Sequence, residues 1–170
     1  MRILSVVFLL VTLTACGDLL SLHPIYTAQD KVFDPAVEGR WESEDDTLVV
    51  SKTGDAYEFT LLGKKVPKAS PREYEAHLLD IKGVRFVDMI PAAALGHMFA
   101  KVRVADEKLY VAFFDSKWLI AKIPHENAEV AHNETMPVVT LSTAALRKLV
   151  AQYAQEPKAY DKEQVFHRQK

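Results

Sequence analysis

The 170-residue chain contains one cysteine, so no disulfide can form within it and side-chain packing must hold its fold unaided. Its apolar N-terminal stretch, residues 3–13, falls short of the roughly 20 residues that a membrane-spanning helix requires. Charge of one sign is also missing: 21 Lys and Arg stand against 23 Asp and Glu, for a formal net charge of −2. That balance carries no electrostatic footprint for nucleic acid, and there is no polybasic run. Gly-x-Ser-x-Gly, His-Glu-x-x-His, a glycine-rich phosphate loop and a Cys/His nucleophile arrangement do not occur either. The reading is therefore of a non-enzyme without a cofactor. Internal repeats and low-complexity segments are likewise missing.

What is present begins at the N-terminus. Met1-Arg2 gives a small positive start, residues 3–13 form an uncharged apolar core, and Thr14-Ala15 precede Cys16. This is the layout of a secretory signal. With cysteine at the first mature position and Leu13 at the apolar position of the motif, it resembles the lipobox of bacterial lipoproteins. The chemistry suits the spacing: the thiol accepts a diacylglycerol group, cleavage needs small residues before it, and the freed amine takes a further acyl chain such as palmitate. One acyl chain holds a membrane only marginally, whereas two or more hold stably. The alternative is that Cys16 is an ordinary small residue in a buried segment. Gly17 follows the cysteine where aspartate would signal inner-membrane retention, so the resemblance implies the outer membrane, facing the periplasm.

Three divisions follow: residues 1–15 as signal peptide, 16–35 as lipidated N-terminus and tether, and 36–170 as a single β-rich domain with C-terminal helices. Leu19, Leu20, Ile25, Tyr26 and Phe33 are too apolar for a fully solvated tether, so part of it should dock on the domain. Short runs rich in Val, Leu, Phe and Tyr then occupy residues 40–42, 47–53, 56–62, 73–81, 84–90, 98–105 and 108–114, separated by turn signals such as Gly54-Asp55, Lys82-Gly83 and Asp106-Glu107. Runs at this spacing describe an antiparallel meander. Within residues 98–105, Met98, Ala100, Val102 and Val104 share one face while Lys101 and Arg103 fall on the other.

Residues 115–124 read as a short helix capped by Asp115 or Ser116 and stopped by Pro124, although an eighth strand fits as well. Residues 125–136 read as a polar loop and 137–141 as the last strand. Ser142 is a natural N-cap, Leu141 and Leu146 can form a hydrophobic staple, and Leu146, Leu149, Val150 and Tyr153 make one apolar stripe. The tail, residues 158–170, is expected to add a second short helix. The predicted fold is mainly β (α+β), an antiparallel meander of seven or eight strands curved into a small barrel or half barrel, with a C-terminal helix. Phe59, Tyr74, Phe86, Phe99 and Phe113 are expected to fill its interior.

Other candidate sites have plain alternatives. Gly39-Arg40-Trp41 matches the Gly-x-Trp that opens lipocalin-like barrels, where the ring closes the bottom; Trp41 is otherwise a core aromatic, structural in both cases. His125 and His132, with Glu126, Glu129 and Glu134, are set against a solvated loop and assigned no metal. Glu42-Ser43-Glu44-Asp45-Asp46 lacks the pattern of a calcium loop and reads as a hairpin tip. Lys64, Lys65 and Lys68 read as an exposed basic loop or a headgroup contact. Asp80 and Asp88 could face each other across adjacent strands, and His77 and His97 read as ordinary sheet and loop residues.

Across nearly the full mature length the chain is also similar to uncharacterised bacterial lipoproteins. The similarity runs through His23-Pro24-Ile25-Tyr26-Thr27, Gly39-x-Trp41, Phe86-Val87-Asp88-Met89-Ile90-Pro91, Asp115 with Trp118 and Leu119, and the helix start at Leu141. It implies a small envelope β domain with a C-terminal helix and implies no activity. The expected role is that of a lipid-anchored structural or protein-interaction module, partnered by the bilayer through acylated Cys16 and by an envelope protein. The alternative is a binding module holding a lipid or other apolar small molecule.

Overall fold

A computed structural model describes residues 19–63, 72–92, 95–123, 130–132 and 137–170. Its main body is a closed barrel of eight antiparallel strands. Seven of them follow one another as a meander: β3 (Gly39–Glu42), β4 (Asp46–Thr53), β5 (Ala56–Gly63), β6 (Arg72–Ile81), β7 (Val84–Pro91), β8 (Met98–Ala105) and β9 (Lys108–Phe113). The eighth, β12 (Gln164–Arg168), enters between β9 and β3 and completes the ring. The meander alone would leave β3 and β9 as unpaired edges; the last strand removes both. Residues 164–168, within the expected C-terminal helix, thus form a strand. Phe166 points inward and Val165 outward, and the backbone groups find their partners on two strands distant in sequence.

Tight hairpins connect the strands at one end. Lys82-Gly83 and Asp106-Glu107 both hold positive φ at each central position, the type I′ geometry whose twist matches that of the flanking strands. At the other end the connections are longer. The β3–β4 turn there closes with Ser43 N donating to Asp46 O at 2.9 Å, which makes the acidic run a hairpin tip.

The N-terminal segment is a strap along the outside of the barrel. β1 (Leu20–Ser21) starts near the end with the long connections, bridged to His97, and β2 (Lys31–Val32) reaches the hairpin end as an extra strand on β6. The tether expected over residues 16–35 is therefore part of the folded body from Leu19 onward, with Ile25 fully buried. β1 also pairs in parallel with β11 (Pro137–Val139), which pairs antiparallel with β10 (Val130–His132). Residues 137–139, expected as the last strand of the meander, belong to this separate three-stranded sheet. Part of the expected polar loop is strand β10.

Two helices complete the outer layer. α1 (Ser116–Ile120) is capped by Asp115, whose carboxylate accepts from Trp118 N at 2.7 Å. α2 (Thr143–Tyr153) is capped by Ser142 and buries Leu146 and Val150, with Leu149 and Tyr153 half-buried beside them.

The wall formed by β6, β7 and β8 is accordingly buried on both faces. Inside lie Trp41, Tyr57, Phe59, Leu78, Val87, Met89, Val102 and Phe166. Outside, Ile25, Leu79, Phe86, Phe99, Phe114, Leu119, Leu146 and Val150 pack together. Phe86 and Phe99, expected inside, belong to this outer core, because period-two alternation sends them opposite Val87 and Ala100. A strand covered on both faces has no wet side to mark its orientation.

Candidate functional site

One end of the barrel is plugged. Asp34 caps a 3-10 turn, Pro35–Val37, and Trp41 lies fully buried above it, its Nε1 donating to Val37 O at 2.8 Å. Arg168, at the end of β12, stacks its guanidinium 4.1 Å from the Trp41 ring centroid. It also donates to Glu38 O at 2.8 Å and Ala36 O at 2.6 Å and pairs with Glu107 at 3.0 Å. Gly39 holds φ at +129°, a conformation that glycine takes without strain, and a Cβ there would stand 2.8 Å from Arg168 Nη1. The aromatic ring of the Gly-x-Trp motif thus closes the bottom of the barrel. Arg168, which sequence reading missed, locks it.

The opposite end is open. Leu61, Tyr74, Met89, Met98, Phe113 and Gln164 line an apolar cavity of about 90 Å³ beneath the rim. The tapered interior is otherwise filled by the side chains that alternate inward along each strand.

Outside the wall, polar side chains hold the strap. Asp88, with no exposed surface, accepts from Ile25 N at 2.8 Å through one carboxylate oxygen and lies 2.7 Å from His97 Nδ1 through the other. The Tyr26 ring covers His77 at 4.4 Å and flanks His97 at 6.2 Å. Burial, then the Asp88 and Glu75 carboxylates, push the Tyr26 hydroxyl pKa above its ordinary value. His77 Nε2 meets Glu75 at 3.0 Å while its buried Nδ1 has no hydrogen-bond partner. From α2, Arg147 donates to Ile25 O and pairs with Asp30.

The Ser21 hydroxyl donates to His23 O at 2.7 Å, and both Asp88 oxygens are engaged, one by the Ile25 amide and the other by His97. These contacts join the segments around Ile25, Asp88 and His97 into one clasp. Asp80 and Asp88 do not face each other: in register, Asp80 opposes Arg85 and Asp88 opposes His77. Asp80 pairs with Arg85, which also reaches Asp34 at 3.1 Å. His77, in β6, and His97, in the β7–β8 connection, are the sheet and loop residues expected, and both pack around the strap at Tyr26.

Cys16, the Lys64, Lys65 and Lys68 run, and His125, Glu126, Glu129 and Glu134 lie outside the described residues. His132 sits in β10, opposite Pro137. Among the described residues no group of three or more His, Cys, Asp or Glu is placed to hold a metal ion, and no helix is long and apolar enough to cross a membrane. The geometry defines a small closed antiparallel β-barrel with one plugged and one open end. No family model matches the chain, and no match to a curated protein or a solved structure was found.

Proposed function

We propose that the chain is a bacterial envelope lipoprotein, cleaved before Cys16, acylated on that cysteine, and serving as a structural or protein-interaction module at the periplasmic side of the outer membrane. The observation that favours this role over ligand carriage is the filled interior. A cavity of about 90 Å³ compares with the roughly 300–1,000 Å³ of small-molecule sites. A packed barrel plugged by Trp41 and Arg168 is a rigid body whose useful surface is its outside. The anchoring half of the proposal draws on the residues around Cys16. Changing Cys16 to Ser is expected to abolish acyl labelling and move the protein from the membrane to the soluble fraction. Membrane retention of that variant would refute the anchor.

A second reading, binding of a lipid or other apolar molecule, draws on the open end, where the cavity lining is almost wholly apolar. Native mass spectrometry of the Cys16→Ser protein purified without detergent separates the two. A clean apo mass supports the interaction role, and a co-purifying lipid of fixed stoichiometry supports carriage.

A further inference from the structure

We infer that the anchored barrel lies on the bilayer with the β7–β8 side of its open rim turned to the lipid, Leu22 and Leu95 entering the headgroup boundary. The inference rests on acylation of Cys16 and adds an orientation to it.

Chain reach supplies the first step. Cys16 is three peptide steps from Leu19, a span of about 10 Å when fully extended, and Leu19 is already buried in the outer core. Leu20 and Ser21 are then fixed by pairing with Val138 and Val139, and Ser21 exchanges backbone hydrogen bonds with His97 at 2.9 and 2.7 Å. A diacylglyceryl group on Cys16 therefore keeps this one edge of the domain within about 10 Å of the membrane surface.

That edge carries the two most exposed large hydrophobic side chains among the described residues. Of the four large hydrophobic side chains exposed among the described residues, two flank the Ser21–His97 bridge: Leu22, 51 % exposed, and Leu95, 95 % exposed. Gly96, next to Leu95, packs its backbone so tightly on β1 that a Cβ would lie 3.2 Å from Ser21 O. A leucine held almost wholly in water beside a lipid attachment point has a ready apolar destination in the acyl boundary.

Charge fixes the tilt. Leu95 lies in the β7–β8 connection, and the acidic β3–β4 tip with exposed Glu44 and Asp45 lies at the same end but four strands around the ring. Turning the Leu95 side down lifts those carboxylates away from anionic headgroups, whose field fades within about a Debye length.

The chain has no other cysteine, and acylation occupies the Cys16 sulfur, so Leu95→Cys, Leu22→Cys and Asp45→Cys each give the mature acylated protein a single labelling site. With a nitrobenzoxadiazole label in phosphatidylethanolamine–phosphatidylglycerol vesicles carrying brominated acyl chains, quenching at positions 95 and 22 is expected to exceed that at 45 several-fold. Equal quenching at all three positions in protein whose intact mass shows the acyl groups overturns the orientation alone. An intact mass without acyl groups on Cys16 overturns the anchoring and this inference together.

Discussion

The two ends of the barrel are held by different physics. At the plugged end the fastening is inside the wall: the Trp41 ring, its indole N–H on Val37, and the Arg168 guanidinium stacked over it and bonded to two carbonyls. At the open end the interior is only a half-exposed apolar rim, and the fastening sits outside, where Asp88 clasps the strap through Ile25 and His97. The first arrangement gains most from apolar burial, the second from satisfying polar groups that water no longer reaches. One β-barrel is thus fastened from inside at one end and from outside at the other.

Removing the plug should have the largest effect. Trp41→Ala deletes the largest fully buried side chain and is expected to cost about 3–5 kcal/mol, read as a drop in the denaturant midpoint at unchanged slope. Next comes the clasp. Asp88→Ala leaves the buried Ile25 N–H and the His97 Nδ1 without their acceptor, for a loss of about 2–4 kcal/mol, together with faster amide exchange in the strap than in β4 and β5. Since Trp41 lies in the inner core while Asp88 holds Ile25 of the outer one, their losses should add to within about 0.5 kcal/mol in the double variant. A coupling well beyond that would mean that the ends are not independent.

The plug was half legible in the sequence and the clasp was not. Gly39 and Trp41 are adjacent on one strand, so a local motif showed them. Arg168 reaches the same ring from the far end of the chain, and nothing near it in sequence announces a strand: residues 164–168 hold a single inward apolar residue, Phe166. The pairing with β9 and β3 supplies what local pattern does not. Asp88 was visible as a carboxylate in a strand, but its partner depends on register, which sets it opposite His77 and sets Asp80 opposite Arg85. Alternation told two faces of β8 apart, yet not that Phe86 and Phe99 face out, because a helical outer layer makes both faces dry. The helix starts at Asp115 and Ser142 were readable because capping is a contact between neighbours in sequence.

Smaller changes sharpen the contrast. Arg168→Lys keeps the charge but loses the planar fork that serves Glu38 O, Ala36 O and the Trp41 face at once. It is expected to cost about 1–2 kcal/mol in chemical denaturation, with little dependence on salt. A loss that salt abolishes would mean that the Glu107 pair, not the stacking, holds the plug.

The smallest effect belongs to the open end, at Asp161, whose backbone N–H donates to Phe113 O at 2.9 Å where β12 begins. Burial, then the Asp115 carboxylate, raise its pKa above the ordinary value of 3.8. A carboxyl whose pKa is raised by folding binds its proton more tightly in the native state, so its ionised form opposes folding. The cost is nil below the unfolded value, grows as pH rises through the folded one, and is complete above it. Asp161→Asn should therefore raise stability at neutral pH by a few tenths of a kcal/mol, solvent screening holding the figure down, and the gain should vanish on acidification below about pH 3.8. An equal gain at both pH values would trace the effect to packing of the amide. The rim would then be set by shape, like the plug, and the difference between the two ends would narrow.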